Sequence, residues 1–178
     1  MNLVTAERRH FEDLALGEVV GLGRITVTKE MITSFAREFD PFPFHLDEEA
    51  AKESLLGGLA ASGWQTGALT LRLLTDAFLS RIASAGGLGF SDLKWKRPVM
   101  KNDTITGTAR IIELRRSRHH PQWGVLTVEL DMRNQTDQPV MSMKLANLVE
   151  TRNAGTTRHE QPAQPYDVEA GHEPGDTR

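Results

Sequence analysis

Cysteine is absent from the chain, which removes disulfides, thiolate metal sites and cysteine nucleophiles from consideration. No apolar run is long enough to cross a bilayer. The most apolar stretch, Trp64 to Ile82, is broken by Arg72, Asp76 and Arg81. An excess of one charge is lacking too: a net charge of −3 over 178 residues gives no overall pull toward nucleic acid or an anionic membrane. The start of the chain carries Glu7, Arg8, Arg9 and His10 where a signal peptide would have its apolar centre. A cytoplasmic protein with neither membrane nor nucleic acid as partner is the expectation. Glycine-rich phosphate loops, nucleotide fingerprints and metal-ligand spacings are also missing, so no metal is expected.

What remains is an ordinary globular composition, 39% apolar and 25% charged. The sequence divides into one domain over residues 1–152 and a polar tail over 153–178. The tail contains Pro162, Pro165 and Pro174 and is expected to be disordered.

Residues 1–17 read as a lead-in that packs Phe11, Leu14 and Leu16. A strand follows near Val19 to Thr28, with Val20, Leu22, Ile25 and Val27 in partial alternation. Met31, Ile32, Phe35 and Phe39 recur at helical spacing, which predicts a helix over Lys29 to Phe39 with Thr28 as its cap. Pro41 and Pro43 stop that helix and predict a stiff, extended link from Asp40 to His45. Asp47 is placed to cap a short helix, Glu48 to Ser54.

The longest helix is predicted over about Gly63 to Ser84, with Ala68, Leu71, Leu74, Phe78 and Ile82 on one stripe and Gly86-Gly87 as its stop. Beyond it the period changes to two. Phe90 to Val99, Thr104 to Leu114, Gly124 to Arg133 and Val140 to Thr151 read as strands joined by short turns, hence antiparallel. One strand, a long helix and four strands make an α+β fold in which an antiparallel sheet wraps around a central helix. Such a sheet leaves edges, and pairing with a second copy protects them, so a homodimer is the default.

Chemistry concentrates at Asp40 and His45, followed by Ser62-Gly63 at the start of the long helix. Asp40 stands at the C-terminal end of a helix, where its charge opposes the helix dipole, so the helix gives no reason for an acid there. The two prolines fix the path between acid and imidazole. A carboxylate and an imidazole can divide water activation and proton delivery, and backbone N–H groups at a helix N-terminus can stabilise a developing oxyanion. The same residue types also occur as plain turn and packing residues, and spacing alone leaves both readings open.

The string Phe39-Asp40-Pro41-Phe42-Pro43-Phe44-His45-Leu46-Asp47-Glu48-Glu49-Ala50-Ala51 resembles the hydratase motif of the MaoC-like dehydratases. That family includes the R-specific enoyl-CoA hydratases, whose pattern is Asp-x-Asn-Pro-aliphatic-His before an acidic helix. Ala61-Ser62-Gly63-Trp64 resembles the start of that family's central helix. Trp95-x-x-Pro98-Val99 and Asn102-Asp103-Thr104 resemble the strand and turn that follow it.

The resemblance implies a hotdog fold and reversible hydration of a trans-2-enoyl thioester to an R-3-hydroxyacyl thioester, carried by coenzyme A or acyl carrier protein. It implies no cofactor beyond the coenzyme A of the substrate. Asp40 and His45 would hold the water, the N–H of Gly63 would polarise the thioester carbonyl, and Ser62 would support the acid or its loop. Phe42 departs from the pattern, where Asn is usual, and Phe39 stands where Gly is usual.

Four further residues are weighed as substrate contacts: Phe42 and Trp64 as an acyl-tunnel lining, and Lys94 and Lys96, on one strand face, for phosphates or simply for solvent. Trp64, Leu71, Leu74 and Phe78 are read as core packing first. His119-His120 reads as a solvated hairpin tip, and His159 and His172 fall in the tail. A hotdog thioesterase is the rival enzyme. It would place an acid on the central helix, where only Asp76 stands, far from the N-terminus. A binding protein without catalysis is the rival of another class.

Overall fold

The computed structural model describes residues 8–118 and 120–152. The expected tail over 153–178, with His159 and His172, and the first member of the His119-His120 pair lie outside the described residues. His120 is exposed in the turn after the third strand.

Strand β1 is Val19–Thr26 and helix α1 is Lys29–Phe39. The hydroxyl of Thr28 caps α1 by accepting the N–H of Met31 at 3.2 Å. A single turn, α2 (Pro43–Leu46), is followed by α3 (Glu48–Glu53), whose cap Asp47 accepts the N–H groups of Glu49 and Ala50. Helix α4 is Gly63–Ala77, and β2 to β5 are Ser84–Trp95, Thr104–Arg116, Trp123–Arg133 and Pro139–Glu150. No helix among the described residues is long and apolar enough to cross a membrane.

The strand order is β1-β3-β4-β5-β2, with every neighbouring pair antiparallel. The first two strands of the chain therefore lie at opposite edges, and the helical segment between them has to cross the sheet. Five strands about 4.8 Å apart span roughly 19 Å, and a helix the length of α4 runs about 22 Å. Helix length and sheet width match.

One sheet face closes on this helix. Leu126, Val128, Leu130 and Met132 alternate inward along β4 and meet Ile105 and Ile111 of β3 and Leu73 and Leu74 of α4 in one core. Truncating a fully buried member such as Leu130 to alanine is expected to cost about 2–5 kcal/mol. This is the α+β arrangement of a sheet wrapped on a helix, the hotdog fold.

Several expectations are corrected. Helix α4 ends at Ala77: Phe78 leaves the helix with φ −135° and ψ −57°, and a 3₁₀ turn, Leu79–Arg81, follows. Gly86 and Gly87 do not stop a helix but lie inside β2, which begins at Ser84. Gly86 and Gly89 adopt φ of 137° and 145°, at the register shifts of β2 against β5. Glycine takes such angles without a Cβ penalty, which is what lets an edge strand bulge there.

The buried face of α4 is also not the expected stripe. Gln65, Thr66, Thr70, Leu73 and Leu74 face inward, whereas Ala68 and Leu71 face out and Trp64 is 56% exposed. The two threonines tolerate burial because their hydroxyls donate to the carbonyls of Ser62 and Thr66. Leu74, Phe78 and Ile82 are buried as expected, while Leu16 of the lead-in is exposed. The link from Asp40 to His45 is not extended throughout, because Pro43 opens the turn of α2.

Candidate active site

The local sequence explains how Asp40 and His45 are brought together. Pro41 keeps Asp40 out of the helical region (φ −153°, ψ 66°), so α1 ends there. The N–H of Asp40 still donates to the carbonyl of Ala36, and the N–H of Phe42 donates to the carbonyl of Asp40 at 2.8 Å, closing a tight turn. Pro43 then starts α2, where its missing N–H costs nothing. His45, two residues on, turns into the protein and is only 7% exposed.

The imidazole is oriented by a backbone atom. Its Nδ1 lies 2.7 Å from the carbonyl oxygen of Ala60. A carbonyl only accepts, so Nδ1 carries a proton, and in the neutral ring Nε2 presents its lone pair. The Ala60 carbonyl is itself fixed, because the neighbouring Ala61 N–H donates to Val99 O and the Lys101 N–H donates to Leu59 O, each at 2.8 Å.

Nε2 of His45 faces Oδ2 of Asp40 at 3.6 Å. That is too long for a direct hydrogen bond. It suits one water donating a hydrogen to each, since a single oxygen can stand about 2.8 Å from both acceptors.

His45 opens onto a cavity of about 310 Å³ whose walls include Phe44, Gly63, Thr66 and Trp95. Gly63 is the first residue of α4, so no carbonyl of its own helix can take its N–H. Ser62 stands just before it, fully buried, and its Oγ accepts the Trp64 N–H at 3.2 Å. The hydroxyl expected to support the acid is thus engaged as the cap of the central helix. Trp95 closes the other side and donates its indole N–H to the carbonyl of Gly63 at 2.9 Å.

The remaining candidates separate. Lys96 lines the same cavity, and so does Arg97. Lys94 lies in another depression with Asp92, Glu129 and Lys144. The two lysines part because β2 shifts register between Ser91 and Lys94 and ends at Trp95, so strand alternation does not continue to Lys96. Phe42 is 57% exposed and stacks on Phe44 with ring centroids 5.2 Å apart. Trp64 meets Trp95 edge-on at 5.5 Å and Phe90 at 6.3 Å. It caps an exposed aromatic cluster and is not part of the core.

Sequence reasoning missed the Ala60 carbonyl, Thr66 and Arg97. A backbone carbonyl leaves no residue-type signal. Thr66, three residues after Gly63, shares its helix face, and that spacing could have found it. Glu48 binds the region from below: its carboxylate takes Lys101 Nζ at 2.9 Å and Lys29 Nζ at 3.1 Å, which hold it down at about 2. Among the described residues no cluster of His, Asp or Glu could hold a metal ion.

The family model described as MaoC like domain matches residues 13–132, a span that contains every candidate residue above. A solved MaoC-like dehydratase from Rhodospirillum rubrum is 38% identical, with a TM-score of 0.72 over 80% of this chain and 97% of its own. A solved structure from Archaeoglobus fulgius, described as a monoamine oxidase regulatory protein, is 28% identical, with a TM-score of 0.72 over 81% of this chain and 95% of its own. The uncharacterized protein YdeM of Bacillus subtilis is 28% identical over 78% of this chain and 96% of its own.

Proposed function

The chain belongs to the MaoC-like domain family, and from that premise we propose that it is a hydratase/dehydratase that adds water reversibly to a trans-2-enoyl thioester, giving an R-3-hydroxyacyl thioester. One observation carries the reading: the lone pair of His45 Nε2 and a carboxylate oxygen of Asp40 face each other 3.6 Å apart, with the ring held by Ala60.

A water donating one hydrogen to each acceptor has its oxygen lone pair free to attack C3 of the substrate. As the C3–O bond forms, the C2=C3 π electrons move toward the thioester and charge builds on its carbonyl oxygen. The N–H of Gly63, at the positive end of α4, meets that charge. The proton removed from water by the Asp40–His45 pair is then delivered to C2, which restores the pair. Elimination runs the same steps backward. The step draws only on side chains and backbone, and coenzyme A enters only as part of the substrate. A cavity of about 310 Å³ is at the small end of ligand sites, which run about 300–1,000 Å³.

The thioesterase alternative needs an acid on the central helix. Asp76 is the one α4 offers, and it is exposed at the far end and paired with Arg72 at 2.6 Å. The binding-only alternative rests on Phe42 in place of Asn and on the regulatory description of the Archaeoglobus relative.

Purified protein mixed with crotonyl-CoA separates these readings. Loss of enoyl-thioester absorbance without thiol release is the expected result. Thiol release would favour hydrolysis. Silence in both channels, repeated over a panel of acyl groups, would favour a binding role.

The same reading includes a homodimer. Trp64, Ala68 and Leu71 leave an apolar face of α4 exposed, continuous with Phe90 and Trp95 on the edge strand β2. An apolar patch beside an unpaired edge calls for cover, and a second copy brings the same edge. Light scattering on eluting protein is expected to give twice the chain mass, and Leu71→Glu is expected to halve it.

A further inference from the structure

Two cationic residues, Lys96 and Arg97, are among those that line the reaction cavity. The chain leaves β2 at Trp95 and continues as Lys96-Arg97-Pro98-Val99, and all four residues line the cavity onto which His45 opens. Consecutive residues of a strand would point to opposite faces. Here the N–H groups of Lys96 and Arg97 converge on one acceptor, the carbonyl of Val140, at 2.8 and 3.3 Å. That local turn leaves both residues in the cavity lining.

Their charge is incompletely met inside the protein. Lys96 Nζ is 3.7 Å from Asp131 Oδ1, but the other oxygen of Asp131 already accepts Arg133 Nε at 2.8 Å. Asp131 is thus shared between two cations, although Arg133 also has Asp137 Oδ1 at 3.5 Å. Arg97 donates its Nε–H to the amide oxygen of Gln138 at 3.2 Å, a neutral partner, and no carboxylate pairs with it among the described residues. Among the described residues no Asp or Glu is in the cavity lining itself, and the Asp40 carboxylate lies next to it, 3.6 Å from the lining residue His45. Gly63, at the positive end of α4, lines the same cavity. A small cavity lined by apolar residues together with a lysine and an arginine suits a ligand that is apolar at one end and anionic at the other.

We propose that Lys96 and Arg97 form an anion-binding wall of this cavity and that the substrate presents a negatively charged group to it. The proposal rests on the thioester reading above and deepens it. The anion has two sources with the same chemistry, a phosphate of the coenzyme A or phosphopantetheine carrier, or a carboxylate on the acyl group. Arg97 is the specificity-determining residue, because its planar fork can grip either oxyanion with two parallel bonds.

Calorimetric titration of the full chain with thioesters that cannot be hydrated tests this without turnover. The probes are butyryl-CoA, succinyl-CoA and butyryl N-acetylcysteamine, which has no phosphate. The proteins are the wild type, Arg97→Gln, Lys96→Gln and, as a control for general surface charge, Arg115→Gln on the outer part of β3. Arg97 is exposed, so its variant is expected to keep the wild-type melting temperature.

If a carrier phosphate is the anion, Arg97→Gln weakens both coenzyme A thioesters about 10- to 100-fold and leaves the N-acetylcysteamine thioester unchanged. If an acyl carboxylate is the anion, wild type binds succinyl-CoA more tightly than butyryl-CoA, and Arg97→Gln abolishes only that preference. Equal binding of every probe by wild type, Arg97→Gln and Lys96→Gln overturns the proposal. So does a loss reproduced by Arg115→Gln, or a wild type that binds neither coenzyme A thioester. Arg97-dependent binding in a protein that hydrates nothing would instead sink the catalytic reading and leave the anion wall standing.

Discussion

The indole N–H of Trp95 donates to the carbonyl oxygen of Gly63 at 2.9 Å, and the same ring fills the space that a side chain on residue 63 would need. A Cβ built on Gly63 would stand 2.6 Å from Cε2 of Trp95 and 2.9 Å from its Nε1. The end of the edge strand and the first turn of the central helix are therefore fitted to each other through a glycine. The contact positions the N–H to which the proposed mechanism gives the thioester oxygen. It also joins two segments that lie 32 residues apart.

Gly63→Ala should therefore act through Trp95. The added methyl forces the indole or the helix start to move, an overpacking expected to cost about 1–3 kcal/mol. Hydration of crotonyl-CoA should fall with it, because the amide of residue 63 shifts. Trp95→Phe removes part of the obstructing ring, so the double variant should recover stability relative to Gly63→Ala alone. Urea unfolding of the four proteins measures this coupling, and simple additivity of the two substitutions would show that the ring is not the obstacle.

Asp40→Asn keeps the size of the side chain and removes the carboxylate. Loss of one member of an acid–base pair is expected to lower kcat about 10²- to 10⁴-fold. The melting temperature should stay near wild type, because Asp40 ends α1 through its backbone N–H and not through its carboxylate. Steady-state rates on an enoyl thioester and a thermal scan decide it together. An active Asp40→Asn would exclude Asp40 from the chemistry.

Ser62→Ala separates capping from catalysis. The Ser62 hydroxyl accepts the Trp64 N–H, and loss of such a cap costs about 0.5–2 kcal/mol. Stability should fall by that amount, while kcat falls far less than in Asp40→Asn. A variant of wild-type stability and strongly reduced kcat would instead give the hydroxyl a direct part in the reaction.

Much of this arrangement was legible in the chain, for reasons that differ by element. Helix α1 was readable because Ile32, Phe35 and Thr28 follow local rules of spacing and capping. That Asp40 and His45 lie close together was readable because two prolines fix a short path between them, whereas a chemical role for them came only from the resemblance of residues 39–51 to the family motif. The end of α4 was not. Phe78 and Ile82 keep helical spacing and are buried, so periodicity cannot see that the helix has already stopped at the width of the sheet. Gly86 and Gly87 look like a helix stop and instead lie inside β2, between its register shifts, because pairing with β5 overrides the local signal. The inward stripe was misplaced because Thr66 and Thr70 count as polar in a sequence, yet satisfy their hydroxyls within the helix. Arg97 was invisible as a cavity residue because only the shared Val140 acceptor turns it there.

Acid should dissolve one specific tie beneath the site. Glu48 of α3 holds Lys29 at the start of α1 and Lys101 in the turn before β3, and the two ammonium groups lower its carboxyl from 4.5 to about 2. Above pH 4.5 the carboxylate is ionised in folded and unfolded chains alike, and its contribution to stability is fully present. As the pH falls from 4.5 toward about 2, the unfolded chain takes up the proton first, so that contribution shrinks and is lost once the folded carboxyl is protonated too. Glu48→Gln lacks it at every pH. The difference in melting temperature between wild type and Glu48→Gln should thus be constant from neutrality down to pH 4.5 and close toward pH 2. At neutral pH it should narrow in high salt, since both lysines are solvent-accessible. A gap that stays constant to the bottom of that range would mean that Glu48 acts through packing and not through its charge.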